Sequence, residues 1–228
     1  MSLTTLQEVI KMLVNERISH QIDLNHLASL NKLGEVILYI DSLGLPHVGS
    51  GSSRDVYAID SKRVIKIANS NDAIIQNKKE WLVYNATKSE NLVAEIYLHS
   101  EHFYWLICES INNFKSEKEM RMFTGIDENL LTSFLYELDR SNAKQSSDFS
   151  YEKWLLNLKE IWKEKSKKLP IFSRHINTLD NINDYGHELL SKLCILYIKH
   201  DVDDIARYEH WGLTSSQNIV CIDSGYNY

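Results

Sequence analysis

Glycine and proline are scarce in this sequence, eight and two among 228 residues. Average usage of about 7% and 5% would give roughly sixteen and eleven. A chain this poor in glycine places it where the backbone demands it. Gly34, Gly44, Gly49, Gly51, Gly125, Gly186, Gly212 and Gly225 can therefore each be asked for a reason. Cysteine is scarce too: Cys108, Cys194 and Cys221 lie far apart, each inside an apolar run. An odd count without Cys-x-x-Cys spacing argues against a disulfide framework and against a zinc site, and the three read as buried thiols in a reducing cytosol. Basic residues are not in excess, 25 against 31 acidic for a net charge of −6, so no nucleic-acid or anionic-lipid face is expected. Long apolar runs are missing, and the first thirty residues hold no basic-then-apolar leader pattern. A soluble, cytoplasmic protein without membrane association is expected. Repeats and low-complexity tracts are absent, and nothing in the pattern sets an oligomeric state.

What is present is globular in texture. The chain is 43% hydrophobic and 25% charged, enough to bury a core and too apolar for overall disorder. Residues 5–16 carry a helical stripe (Leu6, Val9, Ile10, Leu13, Val14), and 26–42 carry another (Leu27, Leu30, Leu33, Val36, Ile37, Ile40) that Gly44 and Pro46 end. Residues 1–46 thus read as a helical N-terminal section. From 47 the texture changes to short β-rich runs at 56–59, 63–68, 93–98 and 104–108, with a turn at Asp60-Ser61-Lys62 and a helix-like segment over 71–87. After 112 the pattern is mostly helical, over 126–140, 150–167 and 184–200, with Ser141–Ser150 as a loop and a closing strand at 218–223. A small antiparallel sheet with one inserted helix, followed by a helical half, is an α+β, two-lobed plan.

Several residues carry chemistry. Gly49-Ser50-Gly51 between β-rich residues lets backbone N–H groups approach a phosphate, although a tight turn between strands reads the same way. No Gly-Lys-Ser/Thr follows, so it is not a Walker loop, and a strand rather than a helix comes next, unlike a dinucleotide fingerprint. Lys66 sits inside the apolar run Val64–Ala68, a place that also suits an outward-facing lysine on a half-exposed strand. Fourteen residues on, Glu80 lies in the helix-like segment, able to pair with it. Near the other end Asp223 follows an apolar strand, a position from which a carboxylate can ligate Mg²⁺ on a triphosphate. Asp204, nineteen residues before it, suits a base for an attacking hydroxyl.

The segments GSGSSRDVYAID, RVIKIA, QNKKEW, YWLICESI, DIARYEHWG and NIVCIDSGY, about 90 of the 228 residues, resemble the protein-kinase-like superfamily. More narrowly they resemble the small divergent kinase-like proteins of bacteriophages and mobile elements. The resemblance implies an N-lobe over 47–111 and a reduced, mostly helical C-lobe over 112–228. It implies a phosphate loop of Gly49, Ser50, Gly51, Ser52 and Ser53, a Lys66–Glu80 ion pair, and adenine held by backbone from Glu109 to Ile111. Asp204, or Asp203 beside it, takes the catalytic role and Asp223 the metal role. ATP and Mg²⁺ are the implied cofactors, and a host or phage protein is the implied substrate or target.

The departures are specific. No His-Arg-Asp triplet precedes Asp204. The metal-binding asparagine is replaced by Glu209, counting forward from Asp204, or by His210, counting back from Asp223. Ser224 stands where a phenylalanine is usual, and the chain stops at Tyr228, so an activation segment is expected to be missing. Two other readings therefore stand beside phosphotransfer: a kinase-shaped binding module that occupies a partner, and a small-molecule kinase of the aminoglycoside or choline type. The latter would draw a pocket from Asp201, Asp203, Tyr208 and Trp211. Gly212 and Gly225 are expected to turn the chain beside the catalytic and metal acids.

Overall fold

The computed structural model describes residues 22–50, 53–141, 143–145 and 149–223; the helical stripe at 5–16 lies outside these residues. The second stripe is two helices rather than one, α1 (Leu24–Ser29) and α2 (Leu33–Ser42). Asp23 starts α1 by accepting the N–H groups of Asn25 (2.9 Å) and His26 (3.0 Å) on Oδ1. Extended backbone at Leu30 and Lys32 then breaks the helix. The apolar periodicity runs through the break because both helices bury Leu27, Val36 and Ile40 in one core with Ile65, Ile67, Leu98, Trp105 and Ile107. That shared burial, not helix continuity, is what the sequence pattern reports.

The chain divides into two compact units, Met1–Ile111 and Asn112–Tyr228. In the first, β1 (His47–Ser50), β2 (Arg54–Ala58), β3 (Arg63–Ala68), β4 (Ile96–His99) and β5 (Trp105–Glu109) form an antiparallel sheet ordered β1-β2-β3-β5-β4. The β2–β3 hairpin closes on Asp60, whose carboxylate accepts the Lys62 N–H at 2.8 Å and the Arg63 guanidinium at 2.5 Å. Helix α3 (Asn71–Thr87) connects β3 to β4 and is capped by Ser70, whose hydroxyl accepts the Ala73 N–H.

Strand alternation decides which way the key side chains point. Ile65 and Ile67 enter the α1–α2 core, while Val64 packs with Leu106, Cys108, Trp81 and Tyr84 on the opposite face. Lys66 shares that opposite face, which is covered by α3, so it is 8% exposed rather than outward-facing. The buried residues of α3 are Ala73, Gln76, Asn77, Glu80, Val83 and Thr87. Two of its large apolar residues, Ile75 and Leu82, are exposed. The face this helix turns to the sheet is thus largely polar.

The second unit contains β6 (Asn112–Asn113), α4 (Glu117–Thr124), α5 (Glu128–Arg140), α6 (Tyr151–Ser166), α7 (Ile171–Asn181), α8 (Asp184–His200), β7 (Trp211–Leu213) and β8 (Ile219–Cys221). The strands form a sheet ordered β6-β7-β8. Within the expected loop Ser141–Ser150, Ala143–Gln145 form a 3-10 turn. Helix α7 is absent from the sequence reading although Ile171, Phe172, Ile176 and Leu179 do recur at helical spacing; its buried residues are only His175 and Leu179. The chain is α+β. Among the described residues no helix is long and apolar enough to cross a membrane.

Two glycines show opposite constraints. Gly212 lies within β7, paired with Val220, and not at a bend; the turn is Thr214–Gln217, closed by Gln217 N–H on Thr214 O with Gln217 at φ +65°. Gly186, early in α8, is where α4 comes closest: a Cβ there would sit 2.3 Å from the Thr124 carbonyl oxygen and 2.9 Å from Ile182 Cβ. Gly→Ala in a helix ordinarily stabilises by about 0.5–1 kcal/mol. Here overpacking should reverse the sign, so Gly186→Ala is expected to lower unfolding free energy by about 2 kcal/mol. Urea denaturation checks this, and unchanged or raised stability contradicts it.

All three cysteines are buried, and burial pushes the Cys108 thiol up to about 12, with Glu80 adding to the rise and Lys66 opposing it. The native protein should therefore give no fast reaction with a thiol reagent at pH 8, and three equivalents after unfolding. A fast-reacting thiol in the native state would contradict that burial.

Candidate functional site

Lys66 and Glu80 meet in the first unit. Nζ of Lys66 lies 2.5 Å from Oε1 of Glu80. The other carboxylate oxygen, Oε2, accepts from Nη1 of Arg54, the first residue of β2. Arg54 Nη1 also donates to Asn77 Oδ1 at 3.2 Å, and Asn77 Nδ2 donates to the Phe103 carbonyl at 2.9 Å. Beside them the Ser53 hydroxyl donates to Gln76 Oε1 at 2.6 Å. Arg54, Lys66 and Glu80 are 5%, 8% and 3% exposed, so these charges face one another in a low-dielectric interior. The arrangement holds a lysine ammonium in one orientation on a rigid strand. Such a group can neutralise phosphate charge without paying for side-chain ordering at the time of binding.

The residues expected to line a phosphate loop are partly in view. Gly49 sits in β1 opposite Val56, and a Cβ on it would meet nothing within 4 Å. Its own fold does not require glycine there. The Ser50 hydroxyl donates to Asp55 Oδ1 at 2.7 Å and lies 2.9 Å from His47 Nε2. Ser53 is turned to α3, as above, and Gly51 and Ser52 lie outside the described residues. Glu109 closes β5, its N–H donating to Glu95 O at 2.8 Å; the Ser110 N–H donates to Lys62 O at 2.7 Å, and Ile111 is half-buried.

The acids and His210 all belong to the second unit. Val202 and Ile205 are fully buried and anchor the segment between them, leaving Asp203 exposed and Asp204 half-buried. The segment is built on Trp211: its ring is fully buried and its Nε1 donates to Ile205 O at 2.8 Å. Trp211 is therefore core and cannot stack on a ligand. Glu128 Oε1 accepts the Tyr208 N–H at 2.8 Å, fixing the 3-10 turn Tyr208–His210. Asp201 is paired with Lys144 at 2.5 Å.

Glu209 and His210 separate clearly. Glu209 is partly exposed and paired with Arg207 at 2.7 Å. His210 is 9% exposed, and its Nδ1 is buried without a hydrogen-bond partner. The Ile222 N–H donates to His210 O at 2.9 Å, which places Asp223 two residues beyond β8, the strand that pairs with β7 next to His210. Lys192, 8% exposed on α8, supports the same strand: Nζ donates to Ile219 O at 2.5 Å and pairs with Glu188 at 2.8 Å. Among the described residues no three His, Cys, Asp or Glu side chains gather into a metal site. A single carboxylate, Asp223, still fits Mg²⁺, which is commonly held by one or two carboxylates together with phosphate oxygens and water.

The sequence reading missed Arg54, Gln76, Asn77 and Lys192. A signal for the first three was present. GSSR and QNKKEW place polar residues at i, i+1 and i+4 of a helix between two buried strands, where apolar residues would be expected.

No family model matches this sequence, and no curated protein does. Among solved structures, the streptomycin-ATP-APH(2")-IIa ternary complex aligns over 86% of this chain and 71% of its own, at 12% identity and a TM-score of 0.38. The ADP-bound aminoglycoside phosphotransferase APH(2'')-Ib covers the same shares at 11% identity and the same TM-score, 0.38. SAICAR-synthase from Saccharomyces cerevisiae, complexed with SAICAR, aligns over 37% of this chain and 43% of its own, at 16% identity and 0.25. These likenesses are too distant to transfer a ligand, an activity or a residue role to this chain.

Because Glu80 serves two cations, its charge should matter more to stability than that of either partner. Glu80→Gln is expected to cost about 3 kcal/mol or more, as for breaking a buried pair, and Lys66→Met about 1 kcal/mol, because Arg54 still pairs with the carboxylate that remains. Chemical denaturation of the two variants checks the order, and equal losses would contradict the sharing.

Proposed function

We propose that this chain binds ATP with Mg²⁺ and transfers the γ-phosphoryl group to a hydroxyl acceptor. The observation that carries the reading is the buried Lys66–Glu80 pair, set on the third strand of an antiparallel sheet and on the helix that follows it. That combination is what the kinase-like resemblance of the sequence implies, and the pair forms from residues fourteen apart without adjustment. Lys66 would neutralise charge on the α- and β-phosphates, and Glu80 would fix its rotamer. Gly49, with open space where a side chain would be, would admit phosphate close to the β1 backbone. Backbone around Glu109 to Ile111 would meet adenine.

In the second unit Asp223 would hold Mg²⁺, the ion that draws off charge on the β- and γ-phosphate oxygens when bound. His210, whose Nδ1 has no partner, would be the second donor, or Glu209 if it gives up its exposed pairing with Arg207. Asp204, or the more exposed Asp203, would accept the acceptor's hydroxyl proton as its oxygen attacks the γ-phosphorus and the bridging bond to the β-phosphate breaks. The resemblance implies a protein Ser or Thr hydroxyl as acceptor. One observation favours a second reading, nucleotide binding without transfer: the unpartnered His210 Nδ1 would supply imidazole nitrogen where a hard cation takes oxygen.

Labelled ATP with Mg²⁺, offered to the protein alone, to mixed protein acceptors and to aminoglycosides and choline, tests transfer and names the acceptor class. Thermal shift tests binding: at a hundredfold excess of ATP over Kd the stabilisation should be about 2.7 kcal/mol. Asp223→Ala is expected to abolish transfer. Gly49→Ala should keep the wild-type melting temperature yet bind ATP about tenfold more weakly, because a methyl there meets ligand and not protein. Transfer by Asp223→Ala or Lys66→Ala at the wild-type rate would sink the phosphotransfer reading. A shift without transfer leaves the binding reading, and no shift at millimolar ATP removes both.

A further inference from the structure

Glu80 is held from two strands at once. In the β2–β3 ladder Arg54 pairs with Ala68 and Val56 with Lys66, so Arg54 and Lys66 project to the same face of the sheet, the face covered by α3. Each takes a different oxygen of the one carboxylate. A carboxylate bound at one oxygen can turn about its own axis and carry the lysine with it; one bound at both cannot. Arg54 also bonds Asn77, three residues before Glu80 and on the same helix face, and Asn77 is itself tied to Phe103 O just before β5. Ser53, the residue before Arg54, bonds Gln76. Ser53 and Arg54 thus grip one turn of α3 through Gln76, Asn77 and Glu80. Gln76, Asn77 and Glu80 are 6%, 0% and 3% exposed, so water offers these bonds little replacement if the helix moves.

We propose that Arg54 is a positioning residue for the Lys66–Glu80 pair: it locks α3 to β2, so that the folded chain holds the lysine in its binding orientation with no activating partner or modification. This rests on the nucleotide-binding reading above and adds to it the regulation of that site. The helix is seated by bonds within the first unit and does not wait to be pushed into place.

A double-variant cycle tests it, with two readouts on full-length protein: the Kd of a fluorescent ATP analogue with Mg²⁺, and hydrogen exchange across residues 71–87. Arg54→Met is expected to weaken nucleotide binding about tenfold and to speed exchange in 71–87 by a similar factor, with the rest of the chain unchanged. Combined with Glu80→Gln it should weaken binding by no more than about twofold beyond Glu80→Gln alone, because Arg54 acts through that carboxylate. Effects on Kd that multiply in the double variant overturn the proposal, as they would for a residue that only stabilises the fold or touches ligand directly. Wild-type Kd and exchange in Arg54→Met overturn it as well. If Arg54→Met does not fold, Arg54→Lys takes its place: it retains a cation for Glu80 on a shorter side chain that cannot put its charge where Arg54 Nη1 meets both Asn77 and Glu80, so intermediate losses are expected and wild-type values overturn the proposal. Should the wild-type protein bind no nucleotide, the functional reading fails separately, and exchange in 71–87 still decides whether Arg54 locks the helix.

Discussion

A single carboxylate organises the first unit. Glu80 is almost completely buried, and a lone ionised group there would be expensive enough to expel the helix that carries it. It is tolerated because two strands each supply a cation to it. That requirement explains several features otherwise at odds with ordinary core design. The buried face of α3 carries Gln76 and Asn77, while Ile75 and Leu82 of the same helix are exposed. β3 carries a lysine in the middle of an apolar run. Apolar contact also seats α3, through Ala73, Trp81, Val83 and Tyr84, but the turn that carries Glu80 is polar.

The second unit follows a different logic, with the polar segment hung on apolar anchors. Val202, Ile205 and Trp211 are fully buried, and the acids lie between or just beyond them. Backbone and side-chain bonds from Glu128, Ile205 and Lys192 hold the intervening turns and β8. Asp203 and Asp204 are thereby presented from a loop whose ends are part of the core, a common way to make a short polar segment rigid. The tryptophan once available as a ligand-stacking surface is used as that anchor.

Legibility followed periodicity. Strand β3, helix α3 and helix α8 have the bounds the sequence pattern predicts, because each presents a regular repeat or clear punctuation at its ends. The stripe over 26–42 misled as to continuity, since two helices on one core print a single stripe. Helix α7 does carry a stripe, at Ile171, Phe172, Ile176 and Leu179, but it is short and interrupted by polar residues, and the helix is absent from the sequence reading. Of the candidate residues, Lys66 and Glu80 were legible from the order of the segments that carry the resemblance, although the apolar run around Lys66 suited an outward-facing lysine as well. Arg54 was not, because an arginine just after a glycine turn is unremarkable until its partner is known.

The sequence by itself determined the α+β pattern, the order of strands β2, β3, β4, β5 and β8 and of helices α3, α5, α6 and α8, and the types of group available for chemistry. These are local properties, carried by repeats of two and of about 3.6 residues and by the few glycines and prolines. Tertiary structure alone decided which charges meet. It gave Glu80 a second partner, set Gly186 against the Thr124 carbonyl, moved Gly212 from a turn into a strand, and separated a surface Glu209 from a buried His210. The physical reason is that pairing and burial depend on distances across the fold, and a chain position carries no information about those until the strands have chosen their neighbours. The scarcity of glycine pointed to constrained positions. Only packing showed that Gly186 is required by a neighbouring backbone, whereas Gly49 faces open space.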